Sequence, residues 1–382
     1  MRQQPAMRSH IGCGNARALL VFCTACWQSC CRAEVGWNNR IPPNRASGPW
    51  HPAFREVDPQ AEGWTRAPGD PGVAALRELL LEKNCLPGFQ VLSPGGPNYT
   101  KRAARALQLD GFVVVQDALS APLLAALRNA TVRVLEQVLA ADPEGSFGGG
   151  AGKLPHRYSL GDASGSKANF HLPEYCELID LPATTPVLRA VFGSDDYFVA
   201  GSGGDVALAG AVEYQTLHTD AIWGPHEGCI QDLPIPPVLT VNFVLEDLTA
   251  LNGPIRKIPG SHRWHEPPVA LADEPPWMKH STLCPVLAGS AIIRDNRCWH
   301  GGTPNLSDEP RMLPNVEYFA PGGHPSLGWL DRATMPFELW QRLSPFAQHL
   351  ARRIVAPPGA EIPGAGQYSP GAVLDIMPFM AR

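Results

Sequence analysis

The chain has no apolar run long enough to cross a membrane. The longest candidate, residues 18–27, has about half of the roughly 20 residues that a membrane-spanning helix needs, and a threonine interrupts it. No stable membrane insertion is therefore expected. Three arginines precede this run and small residues follow at Cys31 and Ala33, which is the order of a signal or transit segment. Residues 1–33 are predicted to be either such a targeting segment or a disordered leader.

The chain also lacks an excess of positive charge. It holds 31 Lys and Arg against 36 Asp and Glu, for a net charge of −5, and it has no basic cluster long enough to follow a phosphate backbone. Nucleic acid is thereby excluded as the main partner. With 44% hydrophobic and 18% charged residues, the 382-residue chain has the composition of a soluble globular protein. The expected partner is a small-molecule substrate, and the oligomeric state stays open.

Regularly spaced cysteines are lacking outside the leader. Five of the ten cysteines lie in the first 31 residues, and the other five stand singly along the chain. We infer from this scatter that the body of the protein keeps its thiols reduced, which favours an intracellular, soluble location.

Proline and glycine, with 40 and 37 residues, divide the chain into segments. Residues 34–99 are rich in both, and apart from one short amphipathic helix a loosely ordered extension is predicted there. Residues 100–325 form the predicted main domain. Residues 326–382 are predicted to form a helical tail.

Helices come first in the main domain and strands follow. Thr100 is placed to cap a short helix that Gly111 ends, and Ser120 is placed to cap a long one. From about residue 186, short strand-like segments alternate with turns. These segments are LRAVFG, YFVAGSG, VEYQTLHTD, VLTVNFVLEDL, SAIIRD and LPNVEYFAP. The pattern predicts a mainly β fold, a sandwich or barrel, with helices packed on its outside.

A histidine and an aspartate two residues apart mark the segment EYQTLHTDAIWG. Because side chains alternate between the faces of a strand, His218 and Asp220 project to the same side and can bind one metal ion together. His300 comes late in the predicted sheet. If its strand lies beside the first, two imidazoles and one carboxylate meet on one face of a metal, which is the ligand set of non-haem Fe(II) oxygenases.

Four motifs in order connect these residues to a known family. They are LDGFVVVQDALSAPLLAALR, HTD, NGPIRKIPGSHRW and WHGGTPNLSDEPR. Together they resemble the phytanoyl-CoA dioxygenase family of Fe(II)/2-oxoglutarate oxygenases. The resemblance implies a double-stranded β-helix (jelly-roll) core, with His218, Asp220 and His300 as catalytic metal ligands. It also implies Fe(II) as cofactor and 2-oxoglutarate and O2 as co-substrates, with ascorbate in a supporting role.

The resemblance also assigns residues to the co-substrate. Arg311 would hold the far carboxylate of 2-oxoglutarate, because a guanidinium matches a carboxylate with two parallel hydrogen bonds. Asn242 and Thr303 are further candidates for co-substrate binding, and the alternative for Asn242 is a core amide bonded to the sheet. The family often has a hydroxyl residue where this chain has Gly302, which is a departure.

Other polar residues belong to the predicted pocket or its frame. His156, Arg157 and Trp223 are candidates for substrate contact, and His226 is an alternative metal ligand. The motif NGPIRKIPGSH is expected to be structural, with its glycines in turns and its serine anchoring the loop.

The resemblance implies a dioxygenase that hydroxylates an unactivated C–H bond of a small molecule and releases succinate and CO2. Asp220 argues against halogenation, because related halogenases have a small residue there that leaves room for chloride. Two alternatives stay open: a cupin-like hydrolase or isomerase that uses another metal, and a non-catalytic binding protein on the same scaffold. The sequence does not identify the substrate.

Overall fold

The computed structural model describes residues 71–142, 157–220, 232–321 and 332–369. All of them lie in one compact unit, Ile41–Arg382. Within these ranges, no helix is both long and apolar enough to span a membrane. The predictions for the leader (residues 1–33) and for His156, Trp223 and His226 fall outside the described residues.

Helices and two short strands lead into the core. They are α1 (Pro71–Lys83), β1 (Val91–Leu92), α2 (Tyr99–Asp110), β2 (Phe112–Val115) and α3 (Ala121–Ala140). Gly111 ends α2 in the left-handed conformation (φ 84°), as predicted. The Ser120 hydroxyl accepts a hydrogen bond from the Leu123 N–H and caps α3, also as predicted. Thr100, expected as a cap, lies inside α2, which begins after Asn98.

The remaining strands build two walls. In chain order they are β3 (Arg157–Ser159), β4 (Phe198–Ala207), β5 (Val238–Phe243), β6 (Arg256–Lys257), β7 (Ala291–Asp295), β8 (His300–Gly301) and β9 (Arg311–Phe319). The larger wall is a seven-stranded sheet in the order β1-β2-β7-β5-β9-β4-β3, and β6 pairs with β8 in the smaller one. All pairs except β1–β2 are antiparallel. Isolated bridges, including those of His218 with His300 and of Arg256 with Thr282, widen the smaller wall.

Alternation along the strands gives the large sheet two buried faces. Val241, Ile293 and Val316 pack in the cluster that contains the buried residues of α2 and α3, so helices cover this face. Ile292 and Leu313 lie one position from Ile293 and three positions from Val316, so they face the other side of the sheet, and they pack in a separate cluster. The predicted mainly β class with flanking helices and a double-stranded β-helix core is confirmed.

Two predicted strands differ in the structure. LRAVFG belongs to the last of three helices between β3 and β4, namely α4 (Leu160–Ala163), α5 (Pro173–Cys176) and α6 (Thr185–Phe192). Pro186 in its first turn and Gly193 after its end favour a helix over a strand. VEYQTLHTD runs beside β8 but forms no continuous strand. It is joined to the β8 segment at separate points, by the isolated bridge of His218 and by the Gln215 N–H, which donates to Gly302 O at 3.1 Å.

The last helices are short. They are α7 (Pro276–Lys279), α8 (Phe337–Trp340) and α9 (Pro345–Leu350), and the last two lie in the predicted tail. Pro314 lies inside β9 opposite Gly204 of β4, just beyond the end of the β5–β9 pairing. Because β5 no longer pairs with β9 at this position, this side of β9 is an edge, and the missing N–H of Pro314 leaves no hydrogen bond to β5 unmade.

Cys85 and Cys284 form a disulfide across a separation of 199 residues. The prediction that the thiols of the body are reduced is therefore wrong for this pair, while Cys176 and Cys298 are free and buried. The pairing depends on the fold, because the Leu86 N–H donates to Thr282 O at 2.7 Å and aligns the two segments. The described part of the predicted extension, residues 71–99, is thus joined to the core by this bond and by β1.

Candidate metal and co-substrate site

Three side chains that can bind a metal meet at one end of the smaller wall. His218 Nε2 lies 3.5 Å from Asp220 Oδ1, and His300 Nε2 lies 3.2 Å from Asp220 Oδ2. The three ligand atoms all lie within 4.8 Å of one another. In the described ranges, no other group of three His, Cys, Asp or Glu side chains meets this criterion.

The backbone fixes the two histidines side by side. Each of His218 and His300 donates its N–H to the carbonyl of the other at 3.0 Å, and the Asp220 N–H donates to Asn296 O at 3.1 Å. The Nδ1–H of His218 donates to Thr216 O at 3.1 Å, and that of His300 donates to Cys298 O at 3.0 Å. Because a carbonyl can only accept, each ring carries its proton on Nδ1 and presents the lone pair of Nε2 to a metal.

Electrostatics favour the protonation states that a metal needs. Burial alone would raise the pKa of Asp220, but the Arg294 guanidinium, 2.6 Å away, holds it well below its usual value. Burial lowers the pKa of His300 well below its usual value, and the charges of Lys257 and Arg294 act in the same direction. The Asp220 carboxylate is therefore ionised and the His300 imidazole is neutral.

Arg294 of β7 forms an ion pair with Asp220. Its Nη2 lies 2.6 Å from Asp220 Oδ2, and its Nε and Nη1 donate to Asn242 Oδ1 at 3.1 Å and to Asn296 Oδ1 at 3.2 Å. The hydroxyl of Thr240 also donates to Asn296 Oδ1, at 2.6 Å. Asn242, predicted as a co-substrate contact, thus has its carbonyl engaged by Arg294.

Arg311 lies at the start of β9, in the large sheet. It is buried, and its Nε and Nη1 donate to Gly253 O at 2.7 Å and to Asp205 O at 3.0 Å. Burial lowers its pKa to about 9, and the charge of Arg157 adds to this effect. Part of the guanidinium therefore holds the backbone, and two buried arginine charges act on each other at this end of the site.

Arg157 of β3 fills the space beside Gly302. A Cβ atom on Gly302 would lie 1.7 Å from Arg157 Nη1, so the guanidinium packs directly on the glycine backbone. Nη1 is buried and has no hydrogen-bond partner in the part of the chain that the structure describes. The departure noted at Gly302 thus makes room for a guanidinium where a hydroxyl would otherwise stand.

Thr303 does not present a free hydroxyl proton. Its Oγ1 donates to Pro254 O at 2.6 Å in a fully buried position. The motif NGPIRKIPGSH, to which Pro254 belongs, has the structural features predicted for it. Gly253 and Gly260 adopt positive φ values of 70° and 79°, and the Ser261 hydroxyl accepts from the Trp299 N–H at 2.8 Å. This last bond joins the loop to the residue before His300.

Sequence reasoning missed two further charged residues of the site. Lys257, opposite His300 in the β6–β8 pair, is fully buried, and its Nζ has no hydrogen-bond partner among the described residues. Burial lowers the pKa of this lysine well below its usual value. Glu317 lies in a row across the sheet with Thr240 and Arg294, and burial, aided by the Asp220 charge, raises its pKa to about 7. The sequence offers one signal for such residues: a charged side chain stands in a strand segment whose pattern otherwise predicts burial.

Known proteins are similar to this chain over the same region. A model of the phytanoyl-CoA dioxygenase (PhyH) family matches residues 107–313, more than half of the chain. Among curated proteins, the dioxygenase andF of Emericella variicolor is 28% identical over 184 residues, which are 46% of this chain and 59% of that protein. The matched part thus spans less than two thirds of this relative.

The solved structures that are similar to this chain include the following three. The epimerase SnoN, in complex with Fe3+, alpha ketoglutarate and nogalamycin RO, is 19% identical, with a TM-score of 0.41 over 62% of this chain and 90% of that one. EctD from S. alaskensis, with 2-oxoglutarate and 5-hydroxyectoine, is 20% identical, with a TM-score of 0.43 over 72% and 92%. The carbocyclase SnoK is 20% identical, with a TM-score of 0.41 over 70% and 98%. These likenesses assign no particular reaction to the chain.

Proposed function

The chain belongs to the phytanoyl-CoA dioxygenase family of Fe(II)/2-oxoglutarate-dependent oxygenases, and on this basis we propose that it hydroxylates an unactivated C–H bond of a small molecule. The observation that carries the proposal is the meeting of His218, Asp220 and His300 within 4.8 Å. Their donor set, two imidazoles that present Nε2 and one carboxylate, suits Fe(II) with open positions for co-substrates.

In this proposal each triad residue has a defined task. His218 and His300 bind the metal through Nε2, and their Nδ1–H bonds to backbone carbonyls keep the rings oriented. Asp220 supplies the negative charge of the site. When bound, Fe(II) with 2-oxoglutarate and O2 supplies the oxidant for C–H hydroxylation and releases succinate and CO2. The protein contributes position and charge.

We further assign the far carboxylate of 2-oxoglutarate to two arginines. Arg311 keeps donors on Nη2 beyond those that hold Gly253 and Asp205. Arg157 Nη1 is buried without a partner among the described residues, and burying an unpaired charge is costly unless an anion joins it. A carboxylate between the two guanidiniums would satisfy both. Thr303 is not included, because its hydroxyl proton goes to Pro254 O. Asn242 stays a candidate, since Arg294 engages its Oδ1, whereas a carboxylate would accept from its Nδ2–H group.

Two alternatives differ from this proposal in what they need. A hydrolase or isomerase on the same triad has no use for two buried arginines that hold the second carboxylate of a co-substrate. A non-catalytic binding protein has no use for a triad with both Nε2 lone pairs exposed to a metal. The proposed reaction is hydroxylation rather than halogenation because Asp220 occupies the carboxylate position.

Succinate release separates the three functions. The purified chain is incubated with Fe(II), ascorbate, O2 and 2-oxoglutarate, and succinate is quantified without added substrate and across a panel of small molecules. We expect slow uncoupled succinate formation that an accepted substrate accelerates, with hydroxylated product in equal amount. Hydrolysis or isomerisation of a panel member without succinate, or no turnover under any condition, would contradict the proposal.

A further inference from the structure

The two carboxylate oxygens of Asp220 have different surroundings. Oδ2 lies 2.6 Å from Arg294 Nη2 and 3.2 Å from His300 Nε2. Oδ1 lies 3.5 Å from His218 Nε2. A strong charge-assisted hydrogen bond from Arg294 thus engages Oδ2, while Oδ1 faces His218.

Arg294 is itself held rigidly. Its side chain is only 3% exposed, and each of its three nitrogens has an acceptor: Asp220 for Nη2, Asn242 for Nε and Asn296 for Nη1. Asn242 lies on β5 of the large sheet and Asn296 directly follows β7, while Thr240 is directly opposite Arg294 in the β5–β7 register. The guanidinium therefore reaches from the large wall to the metal ligand and cannot turn away without losing several bonds.

We propose that Arg294 is a positioning residue, which holds Asp220 so that a metal receives one carboxylate oxygen rather than both. The inference rests on the proposed function. A carboxylate can bind a metal through one or two oxygens, and the second oxygen takes a coordination position that another ligand could use. Because Arg294 engages Oδ2, the site keeps the positions that 2-oxoglutarate and O2 require.

A purely structural role predicts a different result. If Arg294 only stabilised the fold, its loss would weaken metal binding and co-substrate binding together. If it controls how Asp220 binds, its loss frees Oδ2 for the metal. Metal affinity then holds or rises, while 2-oxoglutarate, which needs two adjacent positions, binds less well.

The test uses Co(II) as the metal probe, because its visible absorption weakens as its coordination number rises. The full chain and the variants Arg294→Met and Arg294→Lys are titrated with Co(II) and then with 2-oxoglutarate, without turnover. In Arg294→Met we expect Co(II) affinity within about threefold of wild type or tighter and a weaker visible band. The 2-oxoglutarate dissociation constant should rise roughly tenfold or more, which corresponds to about 1.4 kcal/mol. Arg294→Lys, with one donor group in place of a fork, should be intermediate.

Arg297→Met is the matched control. Arg297 is also buried, just after β7, and its Nη2 lies 2.6 Å from Oδ2 of Asp295, a carboxylate outside the triad. We expect it to lose stability and to keep the wild-type Co(II) spectrum and 2-oxoglutarate affinity.

An unchanged Co(II) spectrum and 2-oxoglutarate affinity in Arg294→Met would overturn the inference, as would equal effects from Arg297→Met. If Arg294→Met does not fold, Arg294→Lys decides, since wild-type 2-oxoglutarate affinity in that variant also overturns it. A wild-type chain that binds Co(II) but no 2-oxoglutarate would instead contradict the proposed function on which the inference rests.

Discussion

Gly302→Ala tests whether Arg157 holds the co-substrate, because the two residues share one space. A Cβ atom on Gly302 would lie 1.7 Å from Arg157 Nη1, so the guanidinium must move by roughly 2 Å to regain an ordinary contact distance. The atom that must move is the far end of a flexible side chain, and Gly302 is not among the glycines with positive φ. The variant should therefore fold with little loss of stability.

The expected effect falls on 2-oxoglutarate. A shift of this size breaks a hydrogen bond. A bond to a charged group contributes about 1.5–3 kcal/mol, and about 1.4 kcal/mol is tenfold in affinity. The dissociation constant of 2-oxoglutarate on the metal-loaded variant should rise roughly 10- to 100-fold, with metal affinity unchanged. Calorimetric titration measures both quantities.

A double-mutant cycle supplies the control. In an Arg157→Met background the guanidinium is absent, so adding Gly302→Ala should change 2-oxoglutarate affinity very little. If Gly302→Ala has no effect in the wild-type background, or has the same effect in both backgrounds, Arg157 does not bind the co-substrate.

Three further changes have defined outcomes. Arg311→Lys should weaken 2-oxoglutarate binding roughly 10- to 100-fold by titration, because one charge-assisted bond is lost, while Fe(II) affinity without co-substrate stays the same; equal 2-oxoglutarate affinity would refute the assignment. Replacing Cys85 and Cys284 together by Ser should lower the free energy of unfolding by about 2–4 kcal/mol in denaturant titrations, and reductant should then destabilise wild type but not the variant. Burial raises the pKa of Glu246 from 4.5 to about 7, so its contribution to stability is present below the lower value and lost as pH rises through the higher one. Glu246→Gln should flatten the decline in unfolding free energy over this interval, and an unchanged pH profile would contradict the reasoning.

Sequence reasoning succeeded where the signal is local. His218 and Asp220 are two residues apart, and the structure brings His300 within reach of both, whereas the role of Arg311 stays a prediction. The caps at Gly111 and Ser120 were found for the same reason.

The same reasoning failed where the outcome depends on pairing across the fold. Arg294 meets Asp220 because β7 pairs with β5 in one particular register, and Arg157 meets Gly302 because β3 lies at the edge beside β4. No spacing along the chain encodes either contact. The disulfide between Cys85 and Cys284 likewise joins segments that only the fold brings together.

The helix at LRAVFG was a different kind of failure. Short apolar runs are compatible with a strand or a helix, and their ends decide between the two. Pro186 in the first turn and Gly193 after the last residue indicated a helix. The hydroxyl of Thr303 was assigned to the co-substrate on its residue type, although a buried hydroxyl most often bonds to a nearby carbonyl, here that of Pro254.

An anaerobic titration of 2-oxoglutarate into the Fe(II)-loaded chain shows whether the triad binds the metal and its co-substrate together. A 2-oxo acid that chelates Fe(II) produces a visible charge-transfer absorption, so the measurement reports the metal and the co-substrate at once. We expect a band that saturates at one equivalent per chain and is lost in His300→Ala, a variant expected to keep the fold. A wild-type chain without the band, or an equal band in His300→Ala, would contradict the proposed role of the triad.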